Sequence, residues 1–254
     1  MSTKQNDKRA QQAEKVEKLC ARLALPPPVV INVKPVISSS KSQKPTLSFV
    51  LGSTQKVSQS LQGHTTGVLI FGSATRPGGG WRAGAKAQEE DVSLSSSWGV
   101  QAEQAPEGFY KEEKGWGADA ILNAKGLWLF DEYGYELEKP KACSFVSIAC
   151  PNRLVPFVGK TPYSELVDKL TPRIVTALNT WEDQKLDHVV LGALGCGVFK
   201  WDPIYSAQAF KKAIPLSKYT GHIHFAFIDP TIKEVFEQEL SSLVRKMTPN
   251  IKRK

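Results

Sequence analysis

Apolar residues occur in short runs, separated by stretches in which they recur every three or four positions, and this alternation is clear from Thr46 onward. An apolar segment at 47–51 (LSFVL) precedes a polar, helix-like stretch at 54–62 (TQKVSQSLQ). The run 67–71 (GVLIF) is apolar and β-branched, which predicts a buried strand. The same reading applies to 144–149 (SFVSIA), 187–191 (DHVVL) and 222–228 (HIHFAFI). Helices are predicted between and after these runs. One covers 172–181, with Ile174, Leu178 and Trp181 on one face, Thr171 as N-cap and Pro172 at the first helical position. Another opens at Asp202-Pro203, with Ile204, Ala207 and Ile214 facing inward. A third covers 231–244, where Thr231 and Glu234 have capping-box spacing. Strands alternating with helices predict an α/β fold with a largely parallel sheet. Ligands of such sheets sit beyond the C-terminal ends of the strands.

Before Thr46 the pattern differs. A charged, helix-favouring stretch at 13–25 is stopped by Pro26-Pro27-Pro28, and 26–46 is rich in Pro, Ser and Lys, as in an arm with one short strand or a linker. The expected organisation is a basic N-terminal arm at 1–45, one domain at 46–245 and a basic tail at 246–254.

Composition narrows the class. With 254 residues, 41% hydrophobic and 23% charged, the chain can bury a core, and collagen, coiled coil and disorder are excluded as its main state. No apolar run reaches the roughly 18–20 residues that span a bilayer. The polar N-terminus lacks an apolar leader, so an intracellular location, cytoplasmic or nuclear, is expected. Cys20, Cys143, Cys150 and Cys196 show no metal-ligand spacing, and His222-x-His224 reads as ordinary sheet positions, so no metal and no cofactor are expected. The formal charge of +8 resides in the ends: 1–45 is net +6, 241–254 is net +5, and 46–240 is net −3. Weak polyanion contact through the termini is the expected consequence, with solubilising tails as the plain alternative.

Two glycine-rich segments carry the candidate chemistry, and each follows a predicted strand. In the first, Gly78, Gly79 and Gly80 are followed after seven residues by Gln88, Glu89 and Glu90, just before a helix predicted at 92–98. Consecutive glycines let backbone N–H groups approach an anionic or sugar ligand. Adjacent carboxylates let one hold a hydroxyl while the other exchanges a proton. The second segment runs from Gly192 through Gly195, Cys196, Gly197 and Val198 to Phe199, and its amides suit a diphosphate.

The stretch GGGWRAGAKAQEEDVSLSSS resembles the microbial branch of the poly(ADP-ribose) glycohydrolases, and GALGCGVFKWDP is similar to the diphosphate-binding segment of that family. The resemblance spans roughly 46–245 and implies a macrodomain-like α/β/α sandwich; joined to the reading above, the expected fold has a mixed, largely parallel central sheet and an N-terminal helical and extended arm. It implies Glu90 as the general acid and then base, Glu89 as the holder of ribose hydroxyls, and Gln88 as the residue that positions the loop. Gly78, Gly79 and Gly80 would line ribose and diphosphate, Gly192 to Phe199 would wrap the diphosphate, and Phe199 would pack on the terminal ribose; Asn152, after the strand SFVSIAC, is a further candidate contact by its position alone. Two departures stand out: Ile70 replaces a polar Asn of the family pattern, and Leu194 an aromatic. The implied reaction is hydrolysis of ribose–ribose O-glycosidic bonds in poly(ADP-ribose), releasing ADP-ribose. The alternatives are hydrolysis of single ADP-ribosyl groups from protein or nucleic acid, and non-catalytic ADP-ribose binding. The implied partners are the polymer or an ADP-ribosylated protein or nucleic acid, and no membrane.

Overall fold

The computed structural model describes residues 3–36, 44–61, 63–111 and 114–244; the basic tail at 246–254 lies outside them. Strands β1 (Val29–Asn32), β2 (Thr46–Leu51), β3 (Thr66–Phe71), β4 (Ala120–Phe130), β5 (Glu136–Ile148), β6 (His188–Gly192) and β7 (His222–Phe227) form one sheet in the order β1-β4-β5-β3-β6-β7-β2. From β5 to β2 every pairing is parallel, whereas β4 is antiparallel to both β1 and β5. The sheet is therefore mixed and largely parallel.

Period-two alternation distributes the side chains of the sheet between two cores. Leu69, Val189, Leu191, Ile223 and Phe225 face helices α6 (Tyr163–Asp183), α7 (Pro203–Leu216) and α8 (Pro230–Leu240). Val68, Ile70, Val190 and Ala226 face α2 (Thr54–Ser60), α3 (Gln88–Ser93) and α4 (Trp98–Ala102). The result is the α/β/α sandwich. Helix α1 (Thr3–Cys20) adds a third cluster, in which Ala13, Val16 and Cys20 pack with Trp81, Leu94, Leu129 and Phe130. Residues of the N-terminal arm thus supply both a packed helix and the edge strand β1. The short helix α5 (Pro156–Lys160) completes the set.

Several local expectations are corrected. Pro172 lies inside α6, which begins nine residues earlier after Pro162, because Leu166, Val167 and Leu170 extend the buried stripe. Helix α8 is capped not by a Thr231–Glu234 box but by Asp229, whose carboxylate accepts the N–H groups of Thr231 and Ile232. Ile204, in the first turn of α7 just after the N-cap Asp202, is 40% exposed, while Ala207 and Ile214 are buried. In place of one helix at 92–98 there are two, α3 and α4, so Glu89 and Glu90 sit inside the first turn of α3 rather than before it.

Candidate active site

A cleft of about 960 Å³ opens beyond the C-terminal ends of the parallel strands, where an α/β sheet places its ligands. After β3 the chain turns through Ser73 and Arg76 to the glycines, forms a 3-10 turn at Trp81–Ala83, and enters α3. Gly78 and Gly79 both have positive φ, at +64° and +65°. They differ in role. A Cβ on Gly78 would press on the buried Trp81 ring and on Gly99, away from the cleft, whereas one on Gly79 would overlap Glu90 Oε1 and come within 3.3 Å of Glu89 Oε2. The two carboxyl groups therefore close around the bare Cα of Gly79.

Backbone N–H groups fix both acids. Gly80 N–H donates to Glu90 Oε1 at 2.9 Å, and Ser73 N–H donates to Glu89 Oε2 at 2.8 Å. Trp98 Nε1 adds a longer contact of 3.4 Å to Glu89 Oε1. Glu89 is 3% exposed and Glu90 9%. Burial pushes the Glu89 carboxyl up to about 8, the Glu90 charge adds to that rise, and the Ser73 and Trp98 donors oppose it. One acid of the pair thus keeps its proton at neutral pH. Gln88 braces the arrangement: its Oε1 accepts Phe71 N–H, and its Nε2 donates to Leu69 O and Thr54 Oγ1. The start of α3 is tied in this way to the end of β3.

The opposite wall is the loop after β6. Gly195, Cys196, Gly197, Val198 and Phe199 line the cleft, together with Asn152 in the segment that follows β5. Gly195 has φ +86°, and a Cβ there would meet the Trp201 ring at 2.9 Å. Gly197 faces open space. Asn152 Oδ1 is engaged by Leu154 N–H. Gly78 and Gly192 do not line the cleft; Gly192 is packed against Ala226 O and the Phe71 ring. Of the two departures from the family pattern, Ile70 is fully buried on the α3 side of the sheet, and Leu194 is a buried part of the wall.

Sequence reasoning missed Ser73 and Trp98, which hold Glu89, and the cations Arg76, Lys86 and Lys200 around the cleft. It also missed the wall formed by Gly52–Gln55 and by Phe227, Ile228 and Ile232. The rule that ligands lie beyond strand ends points to those last segments, because β2 and β7 end there. Burial pushes the thiol of Cys196 up to about 11, which leaves it a neutral group in the wall.

Residues 2–123 match the family described as the microbial-type PARG catalytic domain. No curated protein matches the chain. Among solved structures, a poly(ADP-ribose) glycohydrolase from Thermomonospora curvata is similar with a TM-score of 0.78 and 21% identity, covering 92% of this chain and 99% of that one. The same enzyme bound to the inhibitor ADP-HPD aligns with a TM-score of 0.74 and 20% identity, over 91% and 99% of the two chains. A poly(ADP-ribose) glycohydrolase from Deinococcus radiodurans in complex with ADP-ribose gives 0.64 and 24%, over 92% and 93%. No helix among the described residues is long and apolar enough to cross a membrane. The chain thus resembles the microbial-type poly(ADP-ribose) glycohydrolases, in sequence over residues 2–123 and in fold over nearly its whole length.

Proposed function

We propose that this protein is a glycosidase that hydrolyses the ribose–ribose O-glycosidic bonds of poly(ADP-ribose) and releases ADP-ribose. The observation that carries this reading is the convergence of Glu89 and Glu90 on Gly79, at the floor of a cleft whose far wall is the Gly195–Phe199 loop. The diphosphate lies between the two glycine-bearing loops, within reach of Arg76, Lys86 and Lys200. Glu90 delivers a proton to the leaving ribose oxygen as the C–O bond breaks and positive charge develops on the sugar ring. It then takes a proton from the attacking water. Glu89 holds the ribose hydroxyls, and its buried carboxyl keeps a proton in the pair at neutral pH.

Glu90→Gln tests the assignment, since it keeps the shape but cannot transfer the proton. Incubated with labelled poly(ADP-ribose), the variant should release ADP-ribose at least about a hundredfold more slowly than wild type while binding ADP-ribose nearly as well. Hydrolysis at the wild-type rate would remove Glu90 from the mechanism. Wild-type release from singly modified substrates but not from polymer would favour the mono-ADP-ribosyl reading, and binding without any turnover the non-catalytic one.

A further inference from the structure

The chain's four histidines, at 64, 188, 222 and 224, gather at the end of the sheet opposite the cleft. His188 opens β6 and His222 opens β7, paired in register, and His224 lies two residues on, on the same face as His222. His188 Nδ1 and His224 Nε2 are 3.0 Å apart, and His224 Nδ1 is 2.9 Å from Ser48 Oγ on β2. The His222 and His224 rings stack at 4.0 Å, and the His64 ring lies 4.5 Å from that of His188. His222 Nε2 is buried and has no hydrogen-bond partner among the described residues. One nitrogen from each of His188, His222 and His224 falls within 4.8 Å of the other two.

Read from sequence, the His-x-His pair gave no reason to expect this; the register of β6 against β7 and the loop before β3 bring in the other two rings. Packing alone does not account for the arrangement. A buried nitrogen without a partner is destabilising, and threonine or valine would satisfy the same sheet positions. A cation would use the lone pairs instead. Metal–nitrogen bonds of about 2.0–2.1 Å in tetrahedral geometry separate the ligand atoms by roughly 3.4 Å, so the His188–His224 pair already has nearly that spacing. Ser48 Oγ is within hydrogen-bond distance of His224 Nδ1; the tautomer that carries its hydrogen on Nδ1 donates to it and leaves Nε2 as the ligating atom, as with an outer-shell partner in metal sites.

We infer that His188, His222 and His224 form a binding site for a divalent transition cation of the zinc type, with His64 or water as the fourth ligand. Three neutral imidazoles without a carboxylate or thiolate suit zinc over magnesium or calcium. Bound there, the ion clips β6 to β7 at their starts, at the other end of the strands whose C-terminal ends carry the cleft.

The test is titration of the untagged, metal-stripped full chain with zinc chloride by calorimetry, and with cobalt(II) by absorption spectroscopy. One site per chain is expected, micromolar or tighter, with the intense visible bands of four-coordinate, nitrogen-ligated cobalt and a zinc-dependent rise in Tm. His222→Ala and His188→Gln should each weaken zinc binding at least about tenfold, while Glu90→Gln binds zinc as wild type does. The site is overturned if the wild-type chain shows no saturable zinc binding, or if both histidine variants bind unchanged. Should either variant fail to fold, the wild-type cobalt spectrum decides, and absence of the four-coordinate bands overturns the site.

Discussion

At Gly79 the backbone holds φ at +65°, and a Cβ would occupy the space of the Glu90 carboxyl. Gly197, in the facing loop, has neither constraint. Gly79→Ala is therefore expected to cost at least about 1 kcal/mol of stability and to displace Glu90, so that turnover falls with binding. Gly197→Ala should leave Tm within about 2 °C of wild type, and any effect it has should appear in ADP-ribose affinity alone. Thermal unfolding and calorimetry on the two variants check both statements. Glu89 sets the pH dependence. Its folded value of about 8 lies above the ordinary carboxylate range. Its contribution to stability is thus complete below the ordinary glutamate value of about 4.5, declines as pH rises from there, and is lost once pH passes about 8. Tm of wild type should drop across that interval, with a parallel one-proton fall in kcat/KM, and Glu89→Gln should lack the drop in Tm. Both acids could be picked out in the sequence because their spacing from the glycines is local. Ser73 and Trp98 could not be, because their contacts with Glu89 exist only once β3, α3 and α4 have packed. Gly78 and Gly192 read as ligand-facing glycines for the same reason, although the rings of Trp81 and Phe71 are what exclude a side chain there.

Among the elements, the strands with continuous apolar runs were the legible ones: β3, β6 and β7 are found where the pattern places them. Strand β4 was missed because Lys125 and Gly126 interrupt its apolar run, and the first half of β5 because 136–142 is mostly exposed and polar. Pro172 misled for a physical reason. Its missing N–H leaves the carbonyl of Asp168 without a helical donor, but Asp168 is on the exposed face, where solvent has access to it. Helix α1 matters beyond its own packing. Arg9 donates to Ala85 O and pairs with Asp91 at 2.8 Å, and Glu17 pairs with Arg82, so the helix braces the loop between the glycines and α3. Deleting residues 1–20 uncovers Trp81 and should cost about 3–5 kcal/mol, the scale of losing a large buried contact, with at least a tenfold loss of poly(ADP-ribose) turnover. A shortened chain with wild-type Tm and turnover would instead make the arm dispensable to the domain that follows it.

Across the whole molecule, charge and topology divide the chain differently. The body is net −3 and the termini are strongly basic, a separation visible in sequence because charge is simply counted. The strand order could not be read there, since the register between distant segments is set by tertiary packing. Its layout interleaves the two halves of the chain: β2 pairs with β7, and β3 with β5 and β6, so two strands of the first half have all their neighbours in the second. The acids belong to one half and the facing loop to the other. The β4–β5 hairpin, with Tyr133 exposed at its tip, is a place to cut the backbone without disturbing either. Severed there, neither fragment should hydrolyse poly(ADP-ribose), and co-refolding should restore activity in proportion to reassembly. A lone fragment that turned over polymer would refute this. The sheet thus makes the protein a natural two-part gate, whose output requires both inputs to be present in the same place.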